Sequence, residues 1–169
     1  MIRKKLLMGL VGFQILFLFG MVLSGYLIER VGETVTLQTK AMPHEDIIFN
    51  DSIYLRFTAE EIRPENWFMT EAPERNQVIY VLLTPNEQGL YQVKAASDKK
   101  MDADDQEVIM KTRYSHKSQE MTHVVRFGID QYQTDTSDFQ VNRSQPRFKV
   151  EIALSPWGQS KVVDIEVID

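Results

Sequence analysis

Arg147-Phe148-Lys149-Val150-Glu151-Ile152-Ala153-Leu154 is the stretch that sets the fold class. Phe148, Val150, Ile152 and Leu154 fall on one side of an extended chain, with Arg147, Lys149 and Glu151 on the other. Strand side chains alternate between faces, so this pattern predicts a half-buried β-strand. Downstream, Ser155-Pro156-Trp157-Gly158 is a tight connection, and Lys161 to Ile168 returns as a closing strand. Upstream, strands are expected over 34–40, 53–58, 78–84, 90–96, 107–114 and 122–127. Pro85 to Gly89, between two of these, has the composition of a hairpin connection.

The remaining segments read as connections. His44 to Phe49 is compatible with one turn of helix, and Asn50-Asp51-Ser52 has turn chemistry. Ala59 to Pro73 is irregular and is expected to pack Trp67 and Phe68 onto the sheet. Ser97 to Asp105 is a charged loop, Ser115 to Glu120 a polar turn, and Asp130 to Gln145 a polar stretch anchored by Phe139 and Val141. No long helical period lies between the strands, which excludes a doubly wound α/β sheet. The expected class is all-β with room for a short helix. A compact antiparallel sheet, a partly closed barrel and a sandwich all bury the alternating faces and stay open as alternatives.

The N-terminus differs in kind. Arg3, Lys4 and Lys5 precede a stretch from Leu6 to Ile28 with no charge, in which Gln14 and Ser24 are the clearly polar side chains. As a helix this stretch rises about 34 Å, against a hydrocarbon core of about 30 Å. The expectation is one N-terminal transmembrane helix with a cytoplasmic N-terminus and an extracytoplasmic C-terminal domain. A signal segment cleaved near Ser24, giving a secreted protein, is the alternative. The expected division is a membrane anchor or signal segment over residues 1–29 and a single β domain over 30–169.

Charge and composition narrow the function. The first 29 residues carry a net +2 of the chain's -5, which leaves -7 for residues 30–169. An acidic domain without a basic patch is poorly suited to nucleic acid. The absence of cysteine removes disulfides, thiolate metal sites and a cysteine nucleophile. His44, Glu45 and Asp46 are adjacent, and His116 and His123 flank a turn, so neither set has the spacing of a zinc centre. Asp98, Asp102, Asp104 and Asp105 lack the glycine and terminal glutamate of an EF-hand loop. No metal or other cofactor is expected.

Asn50-Asp51-Ser52-Ile53-Tyr54-Leu55-Arg56-Phe57 resembles the motif of the bacterial membrane-anchored Gly-Asp-Tyr-x-x-Leu-x-Tyr (GDYXXLXY) family. Asp51 and Leu55 agree with it, Phe57 keeps the last ring, and Asn50 and Ser52 replace the glycine and first tyrosine. Arg126, Phe127, Gly128 and Tyr132 take the places of a later Arg-Tyr-Gly-x-x-x-Tyr-like segment. The resemblance covers most of residues 5–168 and implies a possible multi-spanning membrane protein as partner. It implies no established activity.

Two roles are open for these residues. Asp51 can hold the turn before the strand, Asn50 can tolerate positive φ, and Gly128 can allow a bulge or close approach. Arg126 is a candidate ion partner of Asp51. Tyr54, Trp67 and Trp157 are candidate partner contacts. The expected function is a non-enzymatic interaction or accessory module for a membrane or envelope partner. The alternative is a small-ligand-binding domain or hydrolase with a polar groove around Asp51, Arg56, Arg126 and Tyr132.

Overall fold

A computed structural model describes residues 2–41, 48–49, 52–133, 147–156 and 158–168. Among the described residues, helix α1 spans Ile2–Val31 and is followed by eleven strands. These are β1 (Glu33–Gln38), β2 (Ile48–Phe49), β3 (Ser52–Tyr54), β4 (Glu61–Ile62), β5 (Val78–Pro85), β6 (Tyr91–Ser97), β7 (Val108–Lys117), β8 (His123–Arg126), β9 (Gln131–Gln133), β10 (Arg147–Leu154) and β11 (Ser160–Ile168). They form three sheets, ordered β1-β10-β11, β2-β3-β9 and β4-β8-β7-β5-β6. All the strand pairs within these sheets are antiparallel.

The sheets curve round one core as a near-closed barrel. Val35 and Leu37 of β1, Ile79, Val81 and Leu83 of β5, and Phe148, Val150 and Ile152 of β10 are each no more than 1% exposed and belong to one cluster. β7 contributes Val108, Met110 and Tyr114 to the same interior. The buried hydroxyl of Thr112, in line with them, donates to the Ile79 carbonyl at 3.0 Å, which removes the cost of an unpaired polar atom. Leu82 is also buried, although it alternates with the core-facing residues and lies outside the central cluster. The outer face of β5 is therefore covered locally.

Three register shifts shape the strands. Lys94 is passed over where β6 slips against β5. Ser115 is passed over where β7 slips against β8, and Val163 where β11 slips against β10. Such bulges raise the local twist and help close a sheet around a core.

The N-terminal expectation is corrected. The helix forms, and its apolar side chains from Leu7 to Leu23 are exposed. Among the described residues, however, no helix is long and apolar enough to cross a membrane. The transmembrane helix falls with that finding. So do the membrane or signal anchor, the single-pass location and the membrane-mediated partnership built upon it.

Smaller corrections concern the β domain. Ile48–Phe49 is a strand where a helical turn was expected. β7 runs on to Lys117 through the expected turn. The expected strand over 53–58 stops at Tyr54, because the chain then changes partners. The Leu55 amide donates to the Asp130 carbonyl at 2.9 Å, the Arg56 carbonyl accepts from Lys40 at 2.7 Å, and Phe57 bridges to Thr39.

Truncating Phe148 to alanine should cost about 3–5 kcal/mol by opening the core. Val163→Ala, on the exposed bulge, should stay within about 0.5 kcal/mol. Urea unfolding of both variants checks the assignment of β10 to the interior.

Candidate functional site

The motif segment builds the core. Leu55 and Phe57 are 1% and 0% exposed, whereas Tyr54, Arg56 and Thr58 face solvent. The Phe57 ring meets the Phe127 ring with centroids 5.8 Å apart, which joins this segment to the second one. Asn50 and Asp51 lie outside the described residues, as does the expected pairing of Asp51 with Arg126. Arg126 is exposed and sits opposite Arg113 in the β7–β8 ladder.

A residue that the motif reading passed over holds the two segments together. Glu60 is 4% exposed, in a short 3-10 turn over Thr58–Glu60. One carboxylate oxygen accepts the Phe57 amide at 3.2 Å, and the other accepts the Phe127 amide at 3.3 Å. Burial pushes its pKa up from the ordinary carboxylate value, and these two amides and Arg56 pull against that rise. The available signal was a carboxylate three residues after Phe57, the spacing at which a side chain reaches back to a helix-start amide.

Phe127 and Ile129 alternate into the core, and Gly128 between them has φ of 77°. A Cβ there would meet nothing within 4 Å. The glycine serves backbone conformation, not the close approach that was one expectation for it. Tyr132 is half-buried on β9 and packs against the core. A shallow depression of about 520 Å³ beside Gly128 and Tyr132 is lined by neither Arg56 nor Arg126. The described members of the expected groove do not share this concavity.

The aromatic candidates separate. Trp67 is half-buried and stacks on His123 with centroids 4.0 Å apart and planes 4° apart, while Tyr114 tilts against both rings. Trp67 is thus committed to an internal stack. Phe68, expected on the sheet, is 61% exposed, although its backbone amide donates to Ala96 at 2.8 Å. Tyr54 is 39% exposed on the distant-in-sequence β3, and Trp157 lies outside the described residues. Burial lowers the His123 pKa, and Lys117 adds to the shift.

A second concavity, of about 530 Å³, lies on the outer face of the five-stranded sheet. Tyr80, Ile109 and Lys111 form its floor. One wall is the loop carrying Lys100, Ala103, Asp104 and Glu107, and the other is the β10–β11 turn with Leu154, Pro156 and Gly158. Glu33 lines the cleft as well.

Both walls are fixed by local chemistry. Lys94, displaced by the β6 bulge, pairs with Glu107, whose second oxygen accepts the Asp104 amide at 3.2 Å. The hydrogen bond from Lys94 holds Glu107 below the usual carboxylate range, and the same bond raises Lys94. In the opposite wall, the Ser155 hydroxyl oxygen accepts the Gln159 amide at 2.8 Å, and the Gly158 amide donates to the Ser155 carbonyl at 2.9 Å. Gly158 has φ of 88°, and a Cβ on it would lie 3.8 Å from the Lys111 stem. Among the described residues no three His, Cys, Asp or Glu side chains gather as a metal site.

Glu60→Ala should cost roughly 2–5 kcal/mol, because it leaves two buried amides without acceptors. The pH response separates the two shifted groups. Native Glu60 binds its proton more tightly than the unfolded chain does, so its contribution to stability falls as pH rises from about 4.5 through its raised folded value. Native His123 binds its proton less tightly, so stability is lost as pH falls below about 6.5 toward its lowered folded value. Urea midpoints across pH should lose the first effect in Glu60→Gln and the second in His123→Phe.

Comparison with known proteins adds one match, to the model of the family described as GDYXXLXY protein, over residues 14–165. No curated protein and no solved structure matches the chain. The matched range includes Leu55, Phe57, Phe127 and Tyr132. With most of its length matched, this chain belongs to the GDYXXLXY family.

Proposed function

We propose that residues 30–169 act as one β domain that binds a segment of a partner protein without transforming it. The observation that carries this reading is the cleft over Tyr80, Ile109 and Lys111. Its volume of about 530 Å³ falls within the range in which proteins hold ligands. Its floor is the outer face of central strands, so the ligand sits on a rigid platform. Its walls are a charged loop and a turn, the elements that most often carry recognition.

The division of labour supports binding at this place. Leu55, Phe57, Glu60 and Phe127 are consumed in holding the sheets together. The cleft uses none of them. Its lining mixes apolar groups (Ile109, Leu154 and Pro156) with charges of both signs, which suits a peptide better than a uniformly polar or uniformly apolar molecule.

Peptides selected from a random displayed library against the full chain should bind at this cleft. Tyr80→Ala, at a half-exposed position, should weaken them by at least about tenfold, and Val163→Ala should leave them unchanged. Selected peptides that bind a folded Tyr80→Ala protein as tightly as the parent would overturn the proposal.

A further inference from the structure

We propose that the segment bound in this cleft is acidic, with carboxylates that meet Lys100 and Lys111 and apolar side chains that rest on Ile109, Leu154 and Pro156. The inference rests on the binding reading above and names the chemistry of its partner.

The cleft is lined by three acids, Glu33, Asp104 and Glu107, and by two lysines. Glu107 is held by Lys94 and by the Asp104 amide, and Asp104 itself lies 3.9 Å from Lys94. Lys94 does not line the cleft, and its single charge offsets one of these two carboxylates from behind. Among the described residues, neither Lys100 nor Lys111 forms an ion pair. Both lysines line the cleft, and neither is held in an ion pair with a described carboxylate.

Position favours recognition over simple solvation. Lys111 stands opposite Tyr80 in the β5–β7 ladder, so the two side chains leave the same face of the sheet. The Lys111 stem runs beside Gly158 of the opposite wall, where a Cβ would stand in ordinary contact at 3.8 Å from Cδ. A stem lying along apolar surface with its charged head free is the usual arrangement of a half-covered lysine. Glu33 provides an acidic group elsewhere in the lining, which gives the ligand a direction: carboxylate toward the lysines, amine or basic side chain toward Glu33.

A peptide fits these groups better than a free phosphate does. No arginine lines the cleft, and its apolar residues would be idle beneath a small anion. The chain's charge of -5 opposes an acidic partner at long range. Recognition must therefore come from contact with the two lysines, and the preference is for acid placed between apolar residues.

The test uses the full chain and four probes: a short blocked peptide alternating leucine and glutamate, its glutamine and lysine counterparts, and inorganic phosphate. Affinity is read by calorimetry and location by amide chemical shifts. The glutamate peptide should bind at least about tenfold more tightly than the glutamine peptide and should shift the amides of Tyr80, Ile109 and Lys111. In Lys111→Glu that order should reverse in favour of the lysine peptide, with the circular dichroism spectrum unchanged. Equal binding of the glutamate and glutamine peptides at the cleft would overturn acid recognition and leave the binding reading standing. Phosphate displacing the glutamate peptide at equal concentration would also overturn it, as an anion site without peptide preference. Shifts confined to other surfaces, or no binding by any peptide, would overturn both readings.

Discussion

The buried Glu60 carboxylate is the constraint around which the structure is arranged. Its two oxygens take the amides of Phe57 and Phe127, residues far apart in sequence whose rings meet at a tilt of 32°. A carboxylate removed from water is costly unless its acceptor sites are filled. Here the two amides fill them, and in the same act they find partners outside any regular ladder. That matters because the chain between Tyr54 and Phe57 is leaving one sheet for another. Its backbone groups are taken in turn by Asp130, Lys40 and Thr39, and Thr39 in turn exchanges bonds with Phe148 of β10. The motif segment thus touches all three sheets within a few residues.

This arrangement explains why the surface, and not the motif, is the place to look for binding. Side chains spent on closing a core cannot also be offered to a ligand. The five-stranded sheet turns its other face outward, and two connections rise beside it. The β6 bulge sends Lys94 to Glu107, and this pair steadies the 98–107 loop. The Ser155–Gln159 turn is steadied by its own serine. Local irregularities in strands and turns, more than the regular ladder, set the shape of the cleft.

Much of the architecture was legible because alternation is a strong signal when strands are long. Phe148, Val150 and Ile152 are buried as their spacing predicted, and strands occur at all eight expected places. The two-residue strands β2 and β4 and the three-residue β9 were not legible, since so few residues show no period. The early end of β3 was hidden for a different reason: Leu55 and Phe57 keep alternating inward while the backbone changes its partners. Burial pattern and hydrogen-bond pattern are separate properties, and sequence periodicity reports the first. The charge-free N-terminal run does form helix α1, but among the described residues no helix is both long and apolar enough to cross a membrane. Glu60 escaped notice because a lone acid near a turn ordinarily faces water. The cleft was beyond reach from sequence, since its floor and walls come from segments joined only by folding.

The main consequence of the Glu60 clamp is that the three sheets behave as one cooperative unit. Native-state hydrogen exchange on the full chain tests it directly. The amides of Phe57 and Phe127 should open with the same free energy as those of Val81 in the five-stranded sheet and Val150 in the three-stranded sheet. All four should then respond equally to added denaturant. If Val150 exchanges through a lower-energy opening than Val81, or Phe57 and Phe127 exchange as readily as the 98–107 loop, the sheets open separately and the clamp does not unite them.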